Sequence, residues 1–408
     1  ALAGGTGTDG IAGVARRDGD RVVATPPAPP STALDELPVP DYAEYFDRRA
    51  HLDLPAGEVW LPFESARGCW WGAKHHCTFC GLNATTMRFR AKSADRVLSE
   101  LDGQARRYGT FRFEAVDNIL APNYLRELFP AIAERGADYE FFYEAKANLT
   151  RAQLRVLARG GVTQLQPGLE SLSSHVLALM NKGVRAAQNV NLLRWARYYG
   201  IAVAWNILWG FPGETAADYA AQAAVLPHLA HLQPPASADR VWLERFSPLF
   251  SRPDRFPMRS RRPEPSYAHV YPSTVDTERI AYFFDYELME SLPESAYAAL
   301  RAAVAEWSRV WAGDTVPVLA YRSAPDLLRI YDSRPGRPGT YTFHGALAAI
   351  YLACSDRPTT AAAVRGKLGL DLSVRAVRDL FEQFAERGLM FLDGDLAVAL
   401  ALPATPGR

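Results

Sequence analysis

The sequence predicts an α/β protein, a partial (β/α)6 parallel barrel with a small C-terminal winged-helix-like α+β domain. Three observations carry that prediction. Six short runs rich in β-branched and aromatic residues recur roughly every 25–50 residues from about Glu58. Stretches of helical period lie between them, most closed by glycine. After about Ser251 the alternation gives way to helical patterns and a closing hairpin signal.

The strand candidates are "VWLPFES", "TFRFEAVD", "YEFFYEA", "TQLQPGLE", "IAVAWNILWG" and "RVWLERF". The first intervening helix is "SADRVLSELDGQARRYG", with Ser93 as N-cap and Gly109 as stop. "NYLRELFPAIAERG", "TRAQLRVLARGG", "AAQNVNLLRWARYYG" and "ETAADYAAQAAVL" repeat the pattern. Strands in series with returning helices make a parallel sheet, which binds ligands at its carboxyl ends. "SRPDRFPMRSRRPEPSYAHVYP" is expected to be irregular, and "TERIAYFFDYELMESL" and "ESAYAALRAAVAEWSRVW" helical. A strand in "LLRIYDS", three helices from "FHGALAAIYLAC" to "SVRAVRDLFEQFAERG", and two runs around an Asp-Gly turn in "LMFLDGDLAVALAL" form the final unit. Cys354 falls in an apolar helix pattern and reads as packing.

The expected organisation is therefore a linker over 1–57, the barrel over 58–255, a connecting region over 256–314 and the C-terminal domain over 315–408. The opening "ALAGGTGTDGIAGVARRDGD" reads like the tail of a folded unit. The prolines of "ATPPAPPSTALDELPVPDY" forbid regular helix.

Lys and Arg total 45 and Asp and Glu 45, so no general polyanion binder is indicated and no nucleic-acid partner is expected. No stretch reaches the ~20 apolar residues of a membrane span, and no secretory signal opens the chain. Three of the four cysteines are clustered, unlike a disulfide scaffold, and a reducing cytoplasm is the expected setting.

Those three are Cys69, Cys77 and Cys80, spaced C-x7-C-x2-C in a loop after the first strand candidate. Thiolates bind zinc or iron–sulfur clusters. His75 or His76 would close a structural zinc site. A four-iron cluster held by three cysteines would leave one iron open to an external ligand. Spacing alone leaves both readings open. Trp70 and Trp71 either shape a site floor or pack the loop. Lys74 reads as a solvated charge.

The motifs that follow resemble the radical S-adenosylmethionine (SAM) enzymes, although their usual spacing is C-x3-C-x2-C. "CTFC" keeps an aromatic, Phe79, before the last cysteine; "FEAVDN", "LQPGLES", "NILWGFPGET" and "RFSP" follow in family order at predicted strand ends. The resemblance implies a [4Fe-4S] cluster on Cys69, Cys77 and Cys80, with SAM chelating the open iron. It places Phe79, Asp117, Asn118, Glu170, Gly210, Phe211 and Gly213 at the cofactor, with Glu144 lining the cavity and Arg245 a weaker candidate. No catalytic side chain is assigned. "RGCWWGAKHHCTFCGLN", "IAYFFDYE" and "LAVALALP" are similar to maturases of ribosomally made peptides, regarded as peptide C-methyltransferases. That subgroup implies a precursor peptide as substrate and an electron donor such as flavodoxin or ferredoxin. Many members carry a cobalamin domain before the barrel. This chain has no D-x-H-x-x-G motif, so cobalamin is an expectation for a longer parent only. The alternative is a zinc-binding interaction protein.

Overall fold

The computed structural model describes residues 8, 10–52, 59–83 and 86–405. The chain divides into two compact units, Ala1–Val39 and Pro40–Arg408. The first holds an antiparallel hairpin of Ala15–Asp18 with Arg21–Ala24 and a short 3-10 turn at Leu34–Glu36. The expected linker thus contains regular structure, and a helix, Ala43–His51, follows in the second unit. The expected boundary at 57/58 lies outside the described residues.

In the second unit a five-stranded, all-parallel sheet runs in sequence order: β1 (Trp60–Phe63), β2 (Arg112–Ala115), β3 (Glu140–Glu144), β4 (Val162–Gln166) and β5 (Ala202–Val203). The chain bends at Ala204–Trp205 and resumes as β6 (Asn206–Trp209), paired in parallel with β7 (Ser237–Arg240). A parallel bridge between Glu170 and Ile207 joins the two sheets. β5 and β6 are thus halves of one barrel strand, so the first five expected strand positions are occupied and β7 makes a sixth.

The sixth strand corrects the sequence reading. The sixth strand is Ser237–Arg240, not the "RVWLERF" run. It is polar and only half covered, so periodicity does not announce it. Leu243–Glu244 leaves the barrel to pair with Phe283–Leu288. That segment alternates buried residues with half-buried or exposed ones as a strand does, although its sequence was expected to be helical. Its other neighbour is Met258–Pro263, expected to be irregular. Its arginines make an exposed, charged edge, a common defence against edge pairing.

Each helix buries one face on the sheet. In α1 (Ala94–Tyr108), Val97, Leu98, Leu101 and Ala105 are buried, Ser93 Oγ accepts from Arg96 N, and Gly109 ends the helix at φ +65°. Outward from the sheet, Phe63, Phe113, Phe129, Phe141 and Tyr143 interlock with ring centroids 5.6–6.3 Å apart. The opposite face is open: Pro62, Glu114, Val116, Gln164 and Gln166 are exposed. A parallel sheet is ordinarily covered on both faces, so this concave side is where something else fits.

Beyond the barrel, helix Ala298–Trp311 packs back on α2 (Ala216–Val225). The last residues form an antiparallel sheet of Leu319–Ala324, Leu327–Asp332 and Gly339–His344, with Leu402–Pro403 added in parallel. Helices Gly345–Ala353, Ala361–Leu368 and Val374–Glu386 and a hairpin of Met390–Asp393 with Leu396–Ala399 follow the order the sequence indicates. Cys354 is fully buried.

Candidate active site

The cysteine loop leaves the carboxyl end of β1 and is fastened before it begins. Asp117, at the end of β2, accepts from the backbone N–H groups of Ser65 and Ala66 at 2.8 Å and from the Ser65 hydroxyl. Burial pushes its carboxyl up to about 6 despite those donors. Its oxygens are thus committed to the loop's root. Asn118 beside it is half-buried.

The seven residues between Cys69 and Cys77 are a pair of anchors. Trp70 Nε1 donates to Leu120 O at 3.1 Å, beyond β2, and Trp71 Nε1 to Asn181 O at 3.1 Å, beyond β4. Trp71 lies flat on His75 at 4.1 Å and carries the Lys146 ammonium 3.6 Å from its ring centre. Its ring fits against Gly183, at φ +61°, where a β-carbon would run into it. We expect Gly183→Ala to cost more than about 1 kcal/mol from left-handed backbone strain alone. It should also loosen the loop, read as faster thiol labelling of the iron-free protein alongside a lowered melting temperature.

Neither histidine is directed to the thiols as the zinc reading needs. His75 stacks on Trp71, and His76 Nε2 bonds the Cys80 carbonyl at 2.8 Å. Among the described residues, no group of three or more His, Cys, Asp or Glu side chains could hold a single metal ion. A cubane spreads its thiolates around four irons, so its ligands need not converge on one point. Cys69, Cys77 and Cys80 are free thiols at half-buried positions. Burial raises Cys77 and lifts Cys80 to about 12.

The "CTFC" turn is held from three sides. Thr78 N donates to Met180 O at 3.0 Å, Leu249 N donates to Thr78 O at 2.8 Å, and Gly81 N donates to Glu244 Oε2 at 2.7 Å. A side chain at Gly81 would run into the Arg245 carbonyl. Arg245 itself donates to the carbonyls of Ala281 and Glu278.

Glu170 sits at φ +60° after β4, and its carboxylate meets Lys182 Nζ at 3.4 Å. Burial disfavours the Lys182 charge, but Glu170 and the thiols of Cys77 and Cys80 outweigh it, leaving its pKa raised. The same ammonium lies 5.6 Å from the centre of the Phe79 ring, which meets Phe211 edge-on at 6.0 Å. Glu144 ends β3 nearby, and burial with Glu170 and Asp117 beside it lifts its carboxyl to about 7.

Gly210 and Gly213 both have φ near +90°, which glycine alone adopts readily. Glu214 ties the turn: its Oε2 accepts from Gly210 N at 2.8 Å and Phe211 N at 2.9 Å, and from Tyr219 OH. Its Oε1 accepts from Tyr297 OH, whose ring stacks on Trp209 at 4.9 Å.

The structure therefore links Phe79, Glu170 and Phe211, places Gly210 and Gly213 in the adjoining turn, and turns Asp117 inward. Lys146, Lys182, Glu214 and Glu244 were missed. Glu214, four residues after Gly210, carried a local signal; the other three meet their partners only through the fold.

Residues 63–222 match the Radical SAM superfamily. The chain is 27% identical to an uncharacterized methyltransferase of Pyrococcus horikoshii over 53% of this chain and 46% of that protein. It is 27% identical to the hopanoid C-3 methylase of Methylococcus capsulatus over 45% of this chain and 35% of that one. The chain thus spans less than half the length of these curated relatives. Among solved structures, the radical S-adenosylmethionine methyltransferase TsrM from Kitasatospora setae, with cobalamin and a [4Fe-4S] cluster bound, superposes with a TM-score of 0.55 at 18% identity. That match covers 74% of this chain and 65% of TsrM. Over residues 63–222 the chain is thus similar to the Radical SAM superfamily, and its parallel partial barrel with a cysteine loop at the carboxyl rim agrees with that likeness.

Proposed function

We propose that the chain is the catalytic barrel of a radical SAM enzyme that C-methylates a ribosomally made precursor peptide, in a parent protein that also binds cobalamin. The observation that carries the radical reading is the anchored three-thiol loop facing the Glu170–Lys182 pair and the Gly210–Gly213 turn at neighbouring strand ends. The methylase names of both curated relatives support the methyl-transfer part. The peptide part rests on the resemblance of the cysteine loop, "IAYFFDYE" and "LAVALALP" to peptide maturases. No helix among the described residues is long and apolar enough to cross a membrane, and we propose a cytoplasmic setting with a flavodoxin- or ferredoxin-like electron donor.

The residues fit the cofactors this implies. Cys69, Cys77 and Cys80 would hold the cluster, with no fourth cysteine available, since Cys354 is buried. The cluster and SAM together supply a primary carbon radical able to abstract hydrogen from an unactivated carbon. The chain's own part is placement. Glu170 is oriented by Lys182 to accept from a ribose hydroxyl. Phe79 and Phe211 offer an apolar wall, and the Gly210–Gly213 turn lets backbone approach a purine closely. Glu214 and Tyr297 hold that turn still.

Anaerobic reconstitution with iron and sulfide should give a brown protein that, once reduced, releases 5′-deoxyadenosine from SAM. A colourless protein with stoichiometric zinc and no nucleoside product would overturn the reading. Glu170→Gln should weaken SAM binding by about 1–3 kcal/mol through loss of a charge-assisted hydrogen bond. Unchanged affinity in equilibrium dialysis would remove Glu170 from the site.

A further inference from the structure

Away from the cysteine loop, a groove of about 1080 Å³ lies between α3 (Arg151–Arg159), the helix Ala186–Tyr199 and the segment Asp356–Pro358. Four arginines line it and one carboxylate, Asp356. Arg151, Arg155 and Arg159 stand four residues apart on α3 and so share one face. Arg151 is committed: it reaches Tyr199 OH at 3.3 Å and Asp356 at 3.5 Å, with its guanidinium 4.2 Å from the Trp195 ring centre. It thereby ties the two walls together. Arg155, Arg159 and Arg357 are exposed, and no ion pair or hydrogen bond engages them among the described residues.

We propose that this groove binds an extended acidic segment of the peptide substrate, with carboxylates at alternate residues. The proposal rests on the peptide reading above and extends it. Arg155 and Arg159 are separated by about 6 Å along the helix axis. In an extended chain, side chains two residues apart lie on one side at about 6.6 Å. An acid-x-acid pair therefore meets the two guanidiniums in register, and Arg357 from the facing wall can take a further carboxylate. Guanidinium and carboxylate also match in their planar, two-pronged geometry.

The groove leads towards the reaction site. Its upper end is Asn148, two residues beyond Lys146, whose ammonium lies on Trp71 of the cysteine loop. α3 then descends for about 13 Å. A peptide held along it has its next residues at the carboxyl rim of the barrel. A nucleic acid suits the groove less well: formal charge is balanced over the chain, and Asp356 would stand against a phosphate.

The test is fluorescence anisotropy with a labelled ten-residue peptide of alternating glutamate and serine, a glutamine-for-glutamate control and a single-stranded oligonucleotide. The protein is the full chain, as wild type and as Arg155→Glu/Arg159→Glu, both checked by thermal melting. The glutamate peptide should bind at least about tenfold tighter than its control, and the double reversal should lose at least about tenfold while releasing 5′-deoxyadenosine at the wild-type rate. Equal binding of the two peptides, an unaffected double variant, or tighter oligonucleotide binding that depends on the same arginines would overturn the proposal. Absence of SAM cleavage in both proteins would count against the radical reading and leave the peptide result standing.

Discussion

Replacing Cys69, Cys77 and Cys80 together by alanine should abolish iron loading and SAM cleavage and leave a soluble, folded barrel. The loop they occupy does not depend on the thiols for its course. Trp70 and Trp71 are bonded to Leu120 and Asn181, Thr78 is bonded to Met180 and Leu249, and Gly81 to Glu244. The aromatic core between sheet and helices draws on Phe63, Phe113, Phe129 and Phe141, none of them in the loop. Each substitution deletes one half-buried sulfur, worth about 1 kcal/mol on the scale of a lost methylene. Small zinc domains behave oppositely, because metal binding supplies their folding energy. Iron content, 5′-deoxyadenosine release and circular dichroism on one sample separate the outcomes. Unfolding of the triple variant would make the site structural; iron retained with activity would remove the thiols from the chemistry.

The barrel was legible where burial alternates in step with residue type. "YEFFYEA" reads as a strand because Phe141 and Tyr143 are buried while the residues between them are only partly covered. Ser237–Arg240 and Met258–Pro263 were not legible, because an edge strand with polar or arginine-rich faces carries no period-two signal. "FFDYEL" was misread as helical, although its register against Arg261, Arg262 and Pro263 makes it the centre of a sheet. At the site, the cysteine spacing and the glycine turn are local features and could be read directly. Lys182 could not: its ammonium meets Glu170, twelve residues earlier, and the Phe79 ring, a hundred residues earlier. Asp117 shows the reverse error. A carboxylate at a strand end looks like a ligand contact, yet the fold turns it onto the backbone of Ser65 and Ala66.

The sequence also made residues 315–408 look like a domain of their own. The structure predicts instead that truncation at Asp314 yields an insoluble or unfolded protein. Helix Ala186–Tyr199 is covered on nearly all sides, with ten residues from Ala186 to Ala196 buried. Its Arg194 is buried, and among the described residues no carboxylate pairs with it. Burial lowers its pKa to about 10, so it remains charged at neutral pH. That charge is made tolerable by carbonyl oxygens from the C-terminal segment: Ser355 at 3.0 Å, Ala401 at 3.1 Å and Leu400 at 3.4 Å. Trp195 donates to Asp356 O at 2.9 Å, and Ala187 N and Ser174 Oγ donate to Asp393. Truncation would expose this helix and strand a guanidinium on an apolar surface beside β4 and β5. A single change tests the same contacts. Arg194→Ala leaves three buried acceptors, the Ser355 and Ala401 carbonyls and Asn191 Oδ1, short of a donor, each worth about 1–3 kcal/mol, and should cost at least about 3 kcal/mol in total. Urea unfolding would read the loss, and iron loading at low temperature should persist, since Arg194 makes none of the loop contacts. A loss below about 1 kcal/mol would mean that the final segment merely rests on the barrel, and the truncated chain should then fold.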